Sequence, residues 1–236
     1  KKGHYENITF DVRRGDILGL AGLLGAGRRE LALSLFGLNP PDSGEILFEG
    51  KPVVIDSPAT AKDLGIGFLP EDRYTQGLFL SKDVMQNVSS AILDDISGFA
   101  KVVNEDAEKR LAEDSVRTLR IRTSSIKTIV KTLSGGNQQK AVIGKWMAIQ
   151  PKLFILNSPT VGIDVGAKSE IYERIQGYAS EGMALIYISD EITQIVNNCN
   201  RVLVMSNGKC VEILEEEDLQ HPDVERHIEE LISQDL

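Results

Sequence analysis

The chain has 236 residues, is 42% hydrophobic and carries a formal net charge of −9 at pH 7. This size and composition predict one large domain, or one domain with a subdomain. The negative charge argues against a general nucleic-acid or anionic-membrane surface, which needs a basic footprint, although backbone N–H groups can still build a single anion site.

Two further features of the sequence concern the compartment. The apolar runs are all shorter than the roughly 18 residues of a spanning helix, and the chain does not open on a signal-peptide pattern. Cys199 and Cys210 have neither CxxC nor metal-site spacing, which predicts two reduced thiols. We therefore expect a soluble, cytoplasmic protein that reaches a membrane only by docking.

The first part of the chain predicts strands that alternate with short helices. The expected strands lie at residues 6–12, 17–20, 45–50 and 66–69, and the expected helices at 28–36 and 57–65. Ser57 followed by Pro58 is typical of a helix start, with serine as the N-cap and proline at the first helical position.

The second part begins with a change of pattern. Strands fade over residues 76–132, where the longest helical pattern runs from about 104 to 119. The later strands are expected at 152–156, 184–188, 202–205 and 210–214, and helices near 135–149, at 166–179 and after Asp190. Alternating strands and helices predict a mostly parallel sheet flanked by helices. The last twenty residues predict an acidic helical tail with a solvated face.

A glycine-rich loop joins the strand at 17–20 to the helix at 28–36. Its three glycines have the G-x-x-G-x-G spacing of a phosphate-binding loop, or P-loop, although a glycine turn kept for close packing is the alternative. A P-loop continues with Lys and then Ser or Thr. Here Arg28 keeps the positive charge on a bulkier group, and Arg29 offers Mg²⁺ no oxygen. The candidate phosphate-binding residues are Gly22, Leu24, Gly25, Ala26, Gly27, Arg28 and Arg29.

Residues 133–140 (the signature segment) read LSGGNQQK and predict a loop that opens into a helix at Ser134. Free N–H groups and the helix dipole favour an anion there, although a glycine turn before an ordinary helix is the alternative. The octapeptide resembles the signature motif of ABC-type ATPases, in which this helix start docks on ATP held by a partner domain. The resemblance implies that role for Leu133, Ser134, Gly135, Gly136, Asn137 and Gln138.

The resemblance extends over the whole chain. It is carried by Gly-Ala-Gly-Arg at 25–28, Pro-Glu-Asp-Arg at 70–73, the signature segment, and Pro-Thr-Val-Gly-Ile-Asp at 159–164. The chain resembles the C-terminal of two fused ATP-binding domains in bacterial importers of ribose, galactose and xylose. Members carry an adenine-stacking aromatic residue upstream of residues 6–12, and Tyr5 lies too far along to match it, which suggests an excised piece.

The resemblance implies a fold, cofactors and partners. The fold is an α/β ABC-type P-loop nucleotide-binding domain with a mostly parallel sheet, an N-terminal antiparallel β portion and a helical subdomain. The α/β core would comprise residues 1–75 and 145–236, and the helical subdomain 76–144. ATP and Mg²⁺ are the implied cofactors. The implied partners are the N-terminal ABC domain of the same polypeptide or another ABC domain, and permease subunits at the inner face of the cell membrane.

Several positions depart from the ABC pattern in the chain's own site. Asn157 and Ser158 stand where the family has the Asp of the Mg²⁺ shell and the Glu that acts as base, and base catalysis is worth about 10²–10⁴ in rate. Glu71 replaces a glutamine beside the Mg²⁺, and Asp190 replaces a histidine near the γ-phosphate, unless each simply caps a helix. Ser189 or Asp190 would suit such a cap.

The segments that act on a partner remain, including Gly162 and Asp164, which the family uses to contact the other domain. We therefore expect a domain that completes its neighbour's site while its own binds ATP and Mg²⁺ weakly or not at all. One alternative is an active ATPase with Arg28 in place of lysine and Glu71 or Asp190 supplying a carboxylate. Another is a scaffold with no nucleotide role.

Overall fold

The computed structural model describes residues 1–98 and 101–233. Within this part, the chain forms two compact units. The first comprises Lys1–Phe68, Lys152–Ser158 and Gln176–Leu236, and the second comprises Leu69–Pro151 and Pro159–Ile175. The boundaries of the expected helical subdomain, residues 76–144, stay a prediction. No helix in the described ranges has the length and apolar character needed to cross a membrane.

A six-stranded sheet forms the centre of the first unit. Its strands are β1 (Ile17–Gly22), β4 (Ile66–Leu69), β5 (Leu153–Asn157), β6 (Ala184–Ile188), β7 (Arg201–Ser206) and β8 (Lys209–Leu214). Their order is β4-β5-β6-β1-β7-β8. The β5–β6, β6–β1 and β1–β7 pairs are parallel, and β7–β8 is antiparallel. The expectation of a mostly parallel sheet is confirmed.

The sheet register brings three strand ends together. Leu20 of β1 and Asn157 of β5 both pair with Ile188 of β6. Because parallel strands point the same way, the segments that follow them lie at one edge of the sheet. The glycine loop, Ser158 and Asp190 therefore meet there.

Helices of the first unit largely follow the sequence expectations. They are α1 (Arg28–Leu35), α2 (Pro58–Leu64), α7 (Ile192–Asn198), α8 (Glu216–Leu219) and α9 (Val224–Ser233). Ser57 caps α2 by accepting the Thr60 amide at 3.2 Å, as expected. The acidic tail is more than a solvated face, because α9 buries Val224, Ile228, Leu231 and Ile232.

The prediction of a strand at residues 6–12 is wrong. These residues form no ladder, and Asn7 has a φ of 52°, which interrupts an extended strand. The antiparallel portion is instead the short pair β2 (Ile46–Phe48) and β3 (Lys51–Val53). Alternating hydrophobicity predicted a strand, but a strand also needs a partner whose backbone groups are available.

Helices and turns make up the second unit. Its elements are a π-helical turn at Arg73–Gly77, α3 (Val84–Ser89), α4 (Glu105–Thr118), a 3₁₀ turn at Val130–Thr132, α5 (Gly135–Met147) and the first part of α6 (Val165–Ser180). Asn104 caps α4, and Ser134 is the N-cap residue of α5, close to the predicted limits of both helices.

Candidate functional site

The predicted phosphate loop lies between the last residue of β1, Gly22, and the first residue of α1, Arg28. A Cβ on Gly22 would be 2.5 Å from the Met205 carbonyl oxygen, so this glycine is required by packing. Gly25 has a φ of 88° with open space around it, so the backbone conformation alone favours glycine there. Gly22 therefore fits a glycine turn kept for close packing. Gly25 is instead favoured by its backbone conformation.

The other loop residues are placed as follows. The Ala26 amide, a candidate phosphate donor, donates to the Leu23 carbonyl at 3.0 Å. Leu24 is 93% exposed. Gly27, with a φ of 90°, is the N-cap residue of α1. The loop closes on itself through its own backbone, and its apolar side chain at Leu24 faces solvent.

Arg28, expected at the lysine position of a P-loop, makes two hydrogen bonds with protein groups. Its side chain is 6% exposed. Nη1 donates to the Ser189 carbonyl oxygen at 2.7 Å, and Nη2 donates to Oδ1 of Asp190 at 2.8 Å. Two of the departures from the ABC pattern, Arg28 and Asp190, therefore form one ion pair, which joins the start of α1 to the end of β6.

The end of β5 carries no carboxylate. Asn157 is 4% exposed. Ser158 follows with a φ of 52°, and its amide donates to the Ile188 carbonyl at 2.9 Å. Proteins usually bind Mg²⁺ through one or two carboxylates together with substrate phosphates and waters, and neither Arg29 nor Asn157 supplies a carboxylate. Among the described residues, no group of three or more His, Cys, Asp or Glu side chains could hold a metal ion.

The end of β6 has its own hydrogen-bond network. Ser189 Oγ accepts the Glu191 amide and donates to the Gln194 side chain, both at 3.1 Å. The N-cap residue of α7 is Glu191, which makes no side-chain cap bond. The alternative in which Ser189 or Asp190 is the N-cap residue differs from the structure by one or two residues, because the first carbonyl that accepts helical amides is that of Glu191.

The signature segment forms the start of α5 in the second unit. Ser134 is exposed, and its Oγ accepts a hydrogen bond from Asn137 Nδ2 at 2.9 Å. Neither glycine has room for a side chain. A Cβ on Gly135 would lie 2.9 Å from Arg73 Nη2 and from the Gly162 carbonyl oxygen, and one on Gly136 would lie 2.4 Å from Ala167 Cβ. The two glycines thus allow α6 and Arg73 to approach α5 closely.

Arg73 is the functional candidate that the sequence reasoning missed. It was noted only as part of Pro-Glu-Asp-Arg, yet its guanidinium binds the carbonyl oxygens of Val161 and Gly162 at 3.0 and 3.1 Å. It also contacts Gln138 Oε1 at 3.4 Å. Nothing local marks this arginine, because Val161 lies 88 residues away.

Two other predicted site residues lie in the same unit. Glu71 is exposed. Asp164 Oδ1 accepts the Ala167 amide at 3.0 Å and so caps the start of α6. Next to Glu71, the Thr75 hydroxyl and the Tyr74 amide donate to Asp72 and hold the pKa of its carboxyl below the usual range.

The chain is similar to known proteins over most of its length. Residues 5–161 match the family model described as ABC transporter. The chain is 46% identical over 214 residues to a putative ribose/galactose/methyl galactoside import ATP-binding protein of Pseudomonas syringae pv. tomato, covering 91% of this chain and 41% of that protein. It is 44% identical over 218 residues to the ribose import ATP-binding protein RbsA of Bacillus cereus, covering 92% and 44%.

Solved structures agree on the fold. A nucleotide-free ATP-binding cassette from an ABC transporter superposes with a TM-score of 0.81 at 20% identity, over 96% of this chain and 92% of that one. A dimeric bacterial ABC transporter cassette gives 0.77 at 16% identity, over 90% of each chain. The chain spans less than half the length of the curated relatives described above. It belongs to the ABC transporter family and has the family's ATPase fold.

Proposed function

We propose that this chain is an ATP-binding domain of an ABC importer for ribose- or galactose-type sugars. Its signature segment completes an ATP site held by a partner ABC domain, while its own site is degenerate. The partner is the N-terminal domain of the same polypeptide or another ABC domain. Permease subunits hold the pair at the cytoplasmic face of the membrane, and residues 76–144 form the helical subdomain.

The printed names of the relatives support the sugar-import role. They describe ribose and ribose/galactose/methyl galactoside import ATP-binding proteins, at 44% and 46% identity over nine-tenths of this chain. Since this chain covers 41% and 44% of those proteins, their full length leaves room for a second domain of similar size.

One observation carries the proposal of a degenerate site: the Arg28–Asp190 ion pair. The guanidinium that would hold a phosphate already binds a carboxylate at 2.8 Å and a carbonyl at 2.7 Å. A triphosphate would have to displace Asp190 and then tolerate its negative charge nearby, because Asp190 is tied to the same residue. We therefore expect weak nucleotide affinity at this site.

The missing Mg²⁺ ligands and base support the same conclusion. Arg29 replaces the hydroxyl of the P-loop, and Asn157 and Ser158 replace the two carboxylic residues at the end of β5. Without the base, hydrolysis loses about 10²–10⁴ in rate. Neither the active-ATPase alternative nor the scaffold alternative has a comparable contact in its favour.

The signature role is supported by the exposure of Ser134 at the N-terminus of the 13-residue helix α5. Such a terminus presents free N–H groups and a partial positive charge, which favour a phosphate group brought by a partner. Gly135 is a poor site for testing this role, because any side chain there would strike Arg73 and Gly162 within the chain itself.

Ser134 gives a cleaner test. In the assembled transporter, Ser134→Glu should abolish most ATP hydrolysis, because a carboxylate at this position repels the partner's γ-phosphate. The matched control Ser134→Gln has the same size without the charge and should retain much more activity. A glutamate at a helix N-terminus does not harm the helix itself. Equal activity of the glutamate variant and the wild type would refute the signature role.

The chain's own site is tested by titrating the isolated chain with a fluorescent ATP analogue, with and without Mg²⁺, beside a phosphate-release assay. We expect weak or Mg²⁺-independent binding without turnover. Asp190→Asn, which removes the charge but keeps the size, should tighten binding by freeing Arg28. Tight Mg²⁺-dependent binding with turnover in the unmodified chain would overturn the degenerate site.

A further inference from the structure

We propose that Arg73 is a positioning residue, which holds the signature segment and residues 161–162 in the relative arrangement that they present to the partner's ATP. This inference rests on the proposed function. It concerns a residue that contacts neither the nucleotide nor the partner in the proposal, and that acts through the two segments it binds.

Arg73 anchors the segment after β5. Arg73 is buried, with 6% of its surface exposed. Nη1 donates to the Val161 carbonyl at 3.0 Å, and Nη2 donates to the Gly162 carbonyl at 3.1 Å. Two neighbouring nitrogens of one planar group therefore fix two consecutive carbonyl oxygens. These carbonyls lie just before Asp164, the family's partner-contact residue.

The same guanidinium meets the signature segment. Arg73 Nε donates to Gln138 Oε1 at 3.4 Å. The other end of that amide, Gln138 Nε2, donates to the Val130 and Lys131 carbonyls at 3.3 and 3.5 Å. Arg73 Nη2 lies only 2.9 Å from the place of a Cβ on Gly135. Arg73 thus touches the signature segment and, through Gln138, the turn that precedes it.

The backbone that carries Arg73 is itself fixed to α5. The π-helical turn Arg73–Gly77 is held at its far end by Lys145, whose Nζ donates to the Gly77 carbonyl at 2.6 Å. At the same end, a side-chain carbon of Val142 lies 3.1 Å from the place of a Cβ on Gly77. Gln138, Val142 and Lys145 are four and then three residues apart, on one face of the helix. The guanidinium therefore stays in register with α5.

The contacts need arginine and not merely a positive charge. Arginine offers five N–H donors in a rigid planar fork, whereas lysine offers one ammonium on a flexible stem. A lysine at 73 can reach one of the two carbonyls and loses the contact with Gln138 at the same time. Arg73→Lys therefore keeps the charge and removes the geometry.

A small displacement of these segments has a large catalytic cost. Mispositioning of groups by about 1 Å can lower a rate by about 10²-fold. The partner's own P-loop would supply most of the ATP affinity, so that the loss should fall on kcat and not on KM. A residue with a purely structural role would lower the amount of folded protein and leave the kcat of each folded complex unchanged.

The test compares two buried arginines in the assembled transporter. Arg73→Lys should lower kcat for ATP about tenfold or more, with KM changed less than about twofold. The control Arg201→Lys alters a guanidinium that is likewise buried, 4% exposed, and binds carboxylates within the first unit. Assays are run at a temperature at which thermal melting shows all variants folded. Arg201→Lys should then retain wild-type kcat.

A second variant keeps the proposal testable if Arg73→Lys does not fold. Gln138→Met keeps the Arg73 contacts with Val161 and Gly162, and removes the hydrogen bond from Arg73 to Gln138 together with the link to the turn before the signature segment. It should lower kcat less than Arg73→Lys, and the double variant should be no worse than Arg73→Lys alone, since the two residues act through one network.

The outcomes separate the two proposals. If Ser134→Glu leaves hydrolysis unchanged, the signature role itself fails. If Ser134→Glu abolishes hydrolysis while folded Arg73→Lys and Gln138→Met keep wild-type kcat, the positioning role fails and the signature role stands. An equal loss of kcat in Arg201→Lys would also overturn the positioning role, because the effect would then follow from any buried arginine.

Discussion

Lys145 should make the stability of the chain depend on pH in the alkaline range. The residue is 8% exposed, and its Nζ donates to the Gly77 carbonyl. Burial disfavours the charged form and lowers the pKa of Lys145 from 10.5 to about 8. The perturbation that tests this is Lys145→Met, which keeps the length of the side chain and removes its ionisable group.

The sign and size of the change in unfolding free energy with pH follow from proton linkage. Between the folded and unfolded pKa values, about 8 and 10.5, the unfolded chain binds a proton at this site that the folded chain does not. Stability therefore rises with pH through this window, and the gain is lost as pH falls through the folded pKa. The difference between the folded and unfolded pKa values of Lys145 corresponds to about 3 kcal/mol of unfolding free energy. About 2 kcal/mol of this is gained between about pH 7 and pH 9.5.

Urea unfolding of the wild type and of Lys145→Met across this range measures the effect. The stability of the wild type relative to the variant should increase by about 2 kcal/mol from about pH 7 to pH 9.5. Lys131→Met, at an exposed position on the turn before α5, serves as the control and should run parallel to the wild type. A stability difference between wild type and Lys145→Met that stays constant with pH would refute the reasoning.

Three further predictions concern the first unit. Ser57→Ala should lower the free energy of unfolding in urea by about 1 kcal/mol, because the Thr60 amide loses its cap. Ser57→Asp should keep most of the capping stabilisation, because its carboxylate can accept the same amide. Arg201→Met should cost about 1–3 kcal/mol, since the buried Asp16 loses its guanidinium while the more exposed Asp11 and Glu215 keep Arg13, and a loss below about 0.5 kcal/mol would contradict the described network. Burial raises the pKa of both thiols, but only Cys210 is partly exposed. A thiol reagent followed by mass spectrometry should therefore label Cys210 in the native chain and Cys199 only after unfolding.

Short-range signals in the sequence predicted the local structure well. Ser57 before Pro58 and Ser134 before two glycines marked helix starts within a residue. The pair Asn207-Gly208 is a common tight-turn sequence, and its φ values of 46° and 75° are those that a tight hairpin between β7 and β8 requires. Each of these depends on the conformational preferences and hydrogen bonds of a few adjacent residues, which the sequence displays directly.

Contacts between distant residues could not be read in the same way. Arg28 and Asp190 are 162 residues apart, and each was noted only as a departure from a motif. Their pairing depends on the sheet order, which places β6 beside β1. The prediction of a strand at residues 6–12 was wrong for a related reason. Alternating hydrophobicity indicates which residues suit a strand, but not whether the edge of a neighbouring strand is free to pair with them.

The Arg28–Asp190 pair also limits how this site can change over evolutionary time. Substitution of Asp190 by histidine alone would leave a buried guanidinium beside the Ser189 carbonyl without its counter-ion. Substitution of Arg28 by lysine alone would leave Asp190 next to any incoming phosphate. Each single substitution toward the ABC pattern is thus opposed by the residue that remains, and the effects of the two substitutions should depend on each other. The stability of Asp190→His should accordingly be lower than that of the Arg28→Lys/Asp190→His double variant.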